Sequence, residues 1–247
     1  MRSRLLLVLL PMFASHAAPG DMMTLRIPPV SASLDVKGQP VKITLWGAVS
    51  QAAPDVFHLA VTADLAEFAA HLTPLLAAQL NRSDNCGERM SVEHAAIALA
   101  KPAAMLTVNV HYERWACAKV FGKERTKRLV GGNGVVLVKL TPAVGPDGIA
   151  MNADVQRIDA DGSLGELLHS ESFGATIKQK IAASIESAVR KSLDLHSALP
   201  PAIGSAAVIR GVEFSGSPEG RLWISLSGDV HLSAAQFQSL SRQFGSH

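Results

Sequence analysis

The chain has 247 residues, of which 48% are apolar, 18% charged and only 5% aromatic, with a single tyrosine, Tyr112. That balance excludes a disordered or acidic-tail protein, and so few rings leave no stacking platform for single-stranded nucleic acid. The formal net charge is +2, but setting aside Arg2 and Arg4, which lie in a removable segment, leaves 21 basic against 21 acidic groups; no electrostatic case for a nucleic-acid partner survives.

The removable segment is residues 1–17, MRSRLLLVLLPMFASHA. A basic start, an apolar run and then small residues make a secretory signal peptide. Ser15 and Ala17 place the expected cleavage after Ala17, with Ala18 next best. Pro11 and the short apolar run argue against a membrane span. No cysteine sits near the cleavage site to carry a lipid. The expectation is a periplasmic protein whose mature part, residues 18–247, is a single domain. In an oxidising compartment its only cysteines, Cys86 and Cys117, are expected to form one disulfide.

The mature chain opens with alternating stretches at residues 25–36 and 41–49, joined by Lys37-Gly38-Gln39-Pro40. In the second, Val41, Ile43, Leu45 and Val49 share one face. Residues 57–61 form a third short strand. Residues 64–80 then change period: Leu65, Phe68, Leu72, Leu76 and Leu80 fall on one helical side. Pro74 kinks this helix, or starts a second one behind Thr73 as its cap. Asn81-Arg82-Ser83 matches a glycosylation acceptor, a triplet common by chance.

Two long strands, residues 88–99 and 105–120, meet around Lys101-Pro102. In a regular hairpin centred there Ile97 opposes Leu106 and Ala95 opposes Val108. The same centre puts Cys86 opposite Cys117. Farther out the apolar phases clash unless a bulge near residues 94–96 shifts the register, which moves the cysteines by one residue but still leaves them close at the strand ends. Residues 135–144 and 149–158 make another hairpin across Gly145-Pro146-Asp147-Gly148. Residues 175–196 form the clearest helix, with Ile177, Ile181, Ile185, Val189 and Leu193 in an i, i+4 row. A last hairpin pairs residues 206–214 with 221–232, where Leu222, Ile224, Leu226, Val230 and Leu232 face one way. Ser233 caps a terminal helix carrying Phe237, Leu240 and Phe244. Strands adjacent in sequence on short turns pair antiparallel, and the absence of successive β-α-β units excludes a doubly wound nucleotide fold.

Chemistry is sparse. The histidines are scattered, with no metal-ligand spacing and no nucleophile elbow. Gly131-Gly132-Asn133-Gly134 lacks the lysine and hydroxyl of a phosphate loop and reads as a flexible strand connection. Asp159-Ala160-Asp161-Gly162-Ser163 has its glycine too early for a calcium loop and reads as a tight turn. No enzyme activity, metal or cofactor is expected. His94 and His111 read as ordinary strand histidines. Residues 119–128 hold five basic groups, including Lys123, Arg125, Lys127 and Arg128, against one acid, Glu124. Such a patch either meets anionic headgroups or is a polar strand connection. The isoleucine row either packs as plain core or lines an apolar cavity.

The order helix, long antiparallel meander, second amphipathic helix over residues 57–232 resembles one unit of the tubular lipid-binding superfamily, which includes bactericidal/permeability-increasing-like proteins and synaptotagmin-like mitochondrial lipid-binding domains. The segments CGERMSV and YERWACAK also look like those of exported bacterial proteins of unknown function. The resemblance implies an α+β fold in which a long twisted antiparallel meander wraps on two amphipathic helices. It also implies an apolar groove for acyl chains, bordered here by Ile177, Ile181, Ile185, Val189 and Leu193, with Pro74 shortening it. The expected function is to hold or carry a lipid or other amphiphile, with Ile185→Trp tolerated in such a groove. The alternative is a non-enzymatic envelope scaffold that binds proteins through a sheet edge.

Overall fold

The computed structural model describes residues 23–36, 39–121, 123–145, 148–168 and 207–244, with residues 175, 178, 179, 181–183, 185 and 186. The expected signal peptide lies outside them. The strands are β1 (Thr24–Val36), β2 (Gln39–Ala53), β3 (Val56–Asp64), β4 (Arg82–Ser83), β5 (Gly87–Ala100), β6 (Ala103–Val120), β7 (Lys123–Gly145), β8 (Gly148–Ala160), β9 (Ala207–Gly216) and β10 (Leu222–His231). The helices are α1 (Ala66–Ala70), α2 (Leu72–Leu80), α3 (Gly162–Leu168) and α4 (Ala234–Phe244). The described residues between 175 and 186 are also helical.

The fold is α+β, but the strands form two five-stranded antiparallel sheets where one long sheet was expected. Sheet one runs β1-β2-β3-β10-β9 and sheet two runs β4-β5-β6-β7-β8. The expected meander is sheet two. The C-terminal hairpin leaves it and closes on β3, setting Leu226 opposite Val61, Ile224 opposite Ala63 and Val230 opposite Phe57. These six side chains are all buried. The pairing joins two inward rows of period two and gives β3 a partner for an edge that would otherwise expose its amides.

A contiguous apolar core spans both sheets and takes in Phe68, Leu72, Leu75 and Leu76 from α1 and α2. The predicted helix of residues 64–80 breaks at His71, and Pro74 falls in the first turn of α2, where a missing N–H costs nothing. Thr73 is not the cap. Its hydroxyl accepts from the Ala95 amide at 2.9 Å and donates to the Ala95 carbonyl at 3.3 Å. Asn81 Oδ1 accepts from the Val92 amide at 2.8 Å. Both side chains cover the outer edge of β5, which among the described residues has the two-residue β4 as its sole strand neighbour there. On the far side of sheet two, Glu186 Oε1 accepts from the Ala153 amide of β8 at 3.0 Å. At the C-terminus Ser233 and Gln236 exchange the two hydrogen bonds of a capping box, and Phe237 stacks on Phe57 at 4.7 Å, docking α4 on sheet one.

Two sequence readings fail in β7, which spans 23 residues where ten were expected. Gly131–Gly134 is strand, not a flexible connection. A Cβ at Gly132 would lie 2.5 Å from the Asp161 carbonyl oxygen, so the glycine is there because the turn after β8 presses on the strand. That turn is the tight Asp-Gly turn expected, with Gly162 at φ 58 opening α3, a helix the sequence reading missed. Lys123, Arg125, Lys127 and Arg128 are likewise strand residues, not a connection between strands.

Candidate functional site

The β5–β6 hairpin turns where expected, and Ile97–Leu106 and Ala95–Val108 oppose each other. Its register shifts between Val92 and His94, a residue or two from the anticipated bulge, and Met90 then faces Tyr112. Cys86, just before β5, reaches Cys117 on β6 in a disulfide with Cα atoms 5.6 Å apart. The bulge shifts the register by one residue, so the disulfide joins Cys86 to a residue one place beyond the position that would directly oppose it.

This disulfide stands at the base of an arm. β5 pairs with β6 no farther out than Trp115, and β8 pairs with β7 no farther than Gly134. Among the described residues, from Ala116 and Lys127 outward β6 and β7 have no further strand beside them, and Cys117 is tied back to Cys86. The five residues from Ala116 to Val120 carry the arm about 17 Å beyond sheet two. A lone two-stranded ribbon is marginal in water, and the base is braced accordingly. Besides the disulfide, the Arg89 guanidinium lies 4.7 Å over the Trp115 ring and its Nε donates to the Asp84 carbonyl at 3.0 Å. Trp115 Nε1 donates to Glu113 Oε2 at 2.8 Å, and Arg128 donates to Glu113 Oε1 at 3.0 Å. These two donors, the indole first, hold the Glu113 carboxyl below its usual range. His111 Nδ1 lies 2.8 Å from Asn133 Oδ1 and its Nε2 lies 3.6 Å from Glu113. The bond to Asn133, helped by Glu113, raises the imidazole pKa.

The arm ends in Phe121, which is fully exposed and has φ 52. The left-handed region suits Gly, Asn or Asp far better than an aromatic residue. Neither backbone preference nor burial accounts for a phenylalanine here. Leu129, the extra residue where the β6–β7 register shifts, is also exposed. Around the tip stand Lys119, Lys123, Arg125, Lys127 and Arg128, all exposed. Of the four predicted membrane-contact residues, Arg128 is turned into the bond with Glu113, and no ion pair engages the other three among the described residues.

The predicted ligand row is described at two positions. Ile181 is half-buried and packed on the core, and Ile185 is 1% exposed within it. Ile177, Val189 and Leu193 lie outside the described residues. Comparison with known protein families, curated proteins and solved structures finds no match. Among the described residues no helix is long and apolar enough to cross a membrane, and no three His, Cys, Asp or Glu side chains group as a metal site.

The sequence reading found the cations of this site and missed its aromatic tip. Phe121 carried a signal all the same: an apolar ring amid basic residues, next to the glycine of a possible hairpin turn, Phe121-Gly122.

Proposed function

We propose that this protein is a non-enzymatic lipid-handling protein that works in the periplasm and docks on an anionic membrane surface through the tip of the β6–β7 arm. One observation carries the reading: a fully exposed Phe121 in an unfavourable backbone region, at the end of a projecting ribbon ringed by cations. An aromatic side chain at a membrane boundary gains apolar surroundings, while lysine and arginine meet the headgroups. Each basic residue near an anionic leaflet contributes about 1 kcal/mol at moderate salt. The resemblance to tubular lipid-binding proteins points the same way. An apolar acyl groove beneath the helical row remains part of this proposal at Ile177, Val189 and Leu193; the burial of Ile185 fits core packing at that one position.

Flotation with phosphatidylglycerol–phosphatidylcholine vesicles tests docking. The purified protein is expected to float with anionic vesicles at low salt, less so as salt rises, and not with phosphatidylcholine alone. Recovery in the unbound fraction at low salt with both vesicle types contradicts the reading.

The scaffold alternative has its own observation. Side chains cover parts of the edges of β5 and β8, whereas β1 ends sheet one with β2 as its sole strand neighbour among the described residues. Its register is interrupted at Pro28-Pro29, which blunts half of that edge, and residues 30–36 continue the ladder beyond them. A partner strand added there would be blocked by proline at Ser31 or Ser33 without affecting vesicle flotation.

A further inference from the structure

The five cations near the tip are not equivalent, because strand register sorts them onto two faces. On one face Lys123 stands opposite Val120, Arg125 opposite Ala118 and Lys127 opposite Ala116. Three positive charges therefore follow one another at about 6.8 Å intervals along one strand, with small or aliphatic residues opposite and no acid. On the other face Lys119 stands opposite Glu124, and Arg128 is bonded to Glu113 at 3.0 Å. These two basic positions are matched by two acidic ones, and Arg89, opposite Glu113, adds one cation at the base, where it lies over the Trp115 ring. The surplus of the patch thus belongs to one face.

That face is also the outward continuation of the one that forms the core of sheet two. Ala104, Leu106, Val108 and Val110 on β6, and Val136, Val138 and Leu140 on β7, are buried on it. Moving outward, the same rows reach Tyr112 and Val130, both half-buried, with Met90 beside Tyr112 on β5 and packed against the core. Burial of the Tyr112 hydroxyl raises its pKa. Next come Arg114, opposite Glu88 on β5, and then the three cations. A short apolar shelf is thus followed by a row of positive charge, the order in which a phospholipid presents its chain and its phosphate.

Building on the docking reading above, we propose that the face bearing Lys123, Arg125 and Lys127 seats the phosphates of anionic phospholipids in the bilayer, so that the arm lies on the membrane by this face and turns the Tyr112–Met90 shelf toward the lipid. The charge complementarity is one-sided: the face offers three cations and no carboxylate among the directly opposed residues, whereas the surplus on the back is the single Arg89 at the base, held over the Trp115 ring.

Equal charge removal from the two faces tests this. Arg125→Gln/Lys127→Gln is compared with Lys119→Gln/Arg128→Gln in flotation on phosphatidylglycerol–phosphatidylcholine vesicles. Each variant is first checked for native circular dichroism and an intact disulfide. The first pair is expected to lower vesicle partitioning by about thirtyfold, from two basic residues near the surface, and the second by no more than about threefold. Equal losses from both pairs overturn the face assignment and leave diffuse attraction, with docking itself intact. Failure of the unaltered protein to float contradicts the docking reading and with it this one. Glycerol phosphate, added at constant ionic strength, is expected to leave flotation unchanged; displacement would assign the face to a soluble phosphate compound and overturn the bilayer as occupant.

Discussion

At the scale of single residues, the base of the arm shows how a few polar side chains fix an otherwise weak ribbon. Glu113 spends one carboxylate oxygen on Trp115 and the other on Arg128, and His111 approaches from the side. The signs of the two shifts define a pH window. His111 has a raised pKa, so its stabilising contribution is complete below the ordinary histidine value and is lost as pH rises through the raised one. Glu113 has a lowered pKa, so its contribution is present above the ordinary carboxylate value and is lost as pH falls through the lowered one. Both hold together at mildly acidic pH. In an NMR titration the His111 ring is expected to titrate above the ordinary histidine value, and Asn133→Ala is expected to move its midpoint down. An unshifted midpoint in the unaltered protein would mean that the Asn133 bond does not persist in solution. None of this was legible in the sequence. His111, Glu113 and Trp115 alternate on β6, so they share a face, but Arg128 and Asn133 join them only through the β6–β7 register.

At the scale of elements, periodicity located most strands and helices. Val41, Ile43, Leu45 and Val49 are all buried, as are Leu222, Ile224, Leu226, Val230 and Leu232. What misled was glycine. Gly131, Gly132 and Gly134 read as a break, yet they lie in the longest strand, where the Asp161 turn leaves no space for a side chain at Gly132. The outer half of β7 was missed for a related reason: Lys123–Arg128 has no buried side to produce an alternating pattern. The disulfide was legible because the hairpin centre sets the two cysteines at the same distance from the turn, and the bulge that the apolar phase required moves them by only one residue. Closing its loop stabilises the fold by about 3.5 kcal/mol in the chain-entropy model. Cys86→Ser/Cys117→Ser is expected to lower stability by about that amount in urea unfolding, and to raise amide exchange in the arm more than in β2 or β3. Uniform exchange changes would mean that the bond does not brace the arm in particular. Ile185 sits fully within the core, so Ile185→Trp is now expected to overpack and cost about 1–3 kcal/mol. This reverses the tolerance expected from a groove at that position; an unchanged denaturation midpoint would restore the groove there.

At the scale of the whole molecule, sheet one and the turn end of sheet two form the body, and the arm leaves from the opposite end of sheet two. The Phe214 amide donates to the Pro102 carbonyl at 3.0 Å, joining β9 to the β5–β6 turn. β6 and β7 run from this junction to the tip. A body with a ribbon pointed outward suits the proposed docking, in which the tip touches a surface and the core stays away from it. Near-neutral net charge fits the same purpose, because long-range attraction then comes from a local patch and falls steeply with salt. In the proposed docking Phe121 enters lipid. The most direct test is Phe121→Trp in vesicles that contain brominated acyl chains. Subtracting the signal of the unaltered protein isolates the new indole from Trp46, Trp115 and Trp223. The added tryptophan is predicted to shift to the blue and to be quenched by bromine on anionic vesicles. Emission that stays at the wavelength of a water-exposed indole, without quenching, on vesicles that bind the protein would contradict tip insertion.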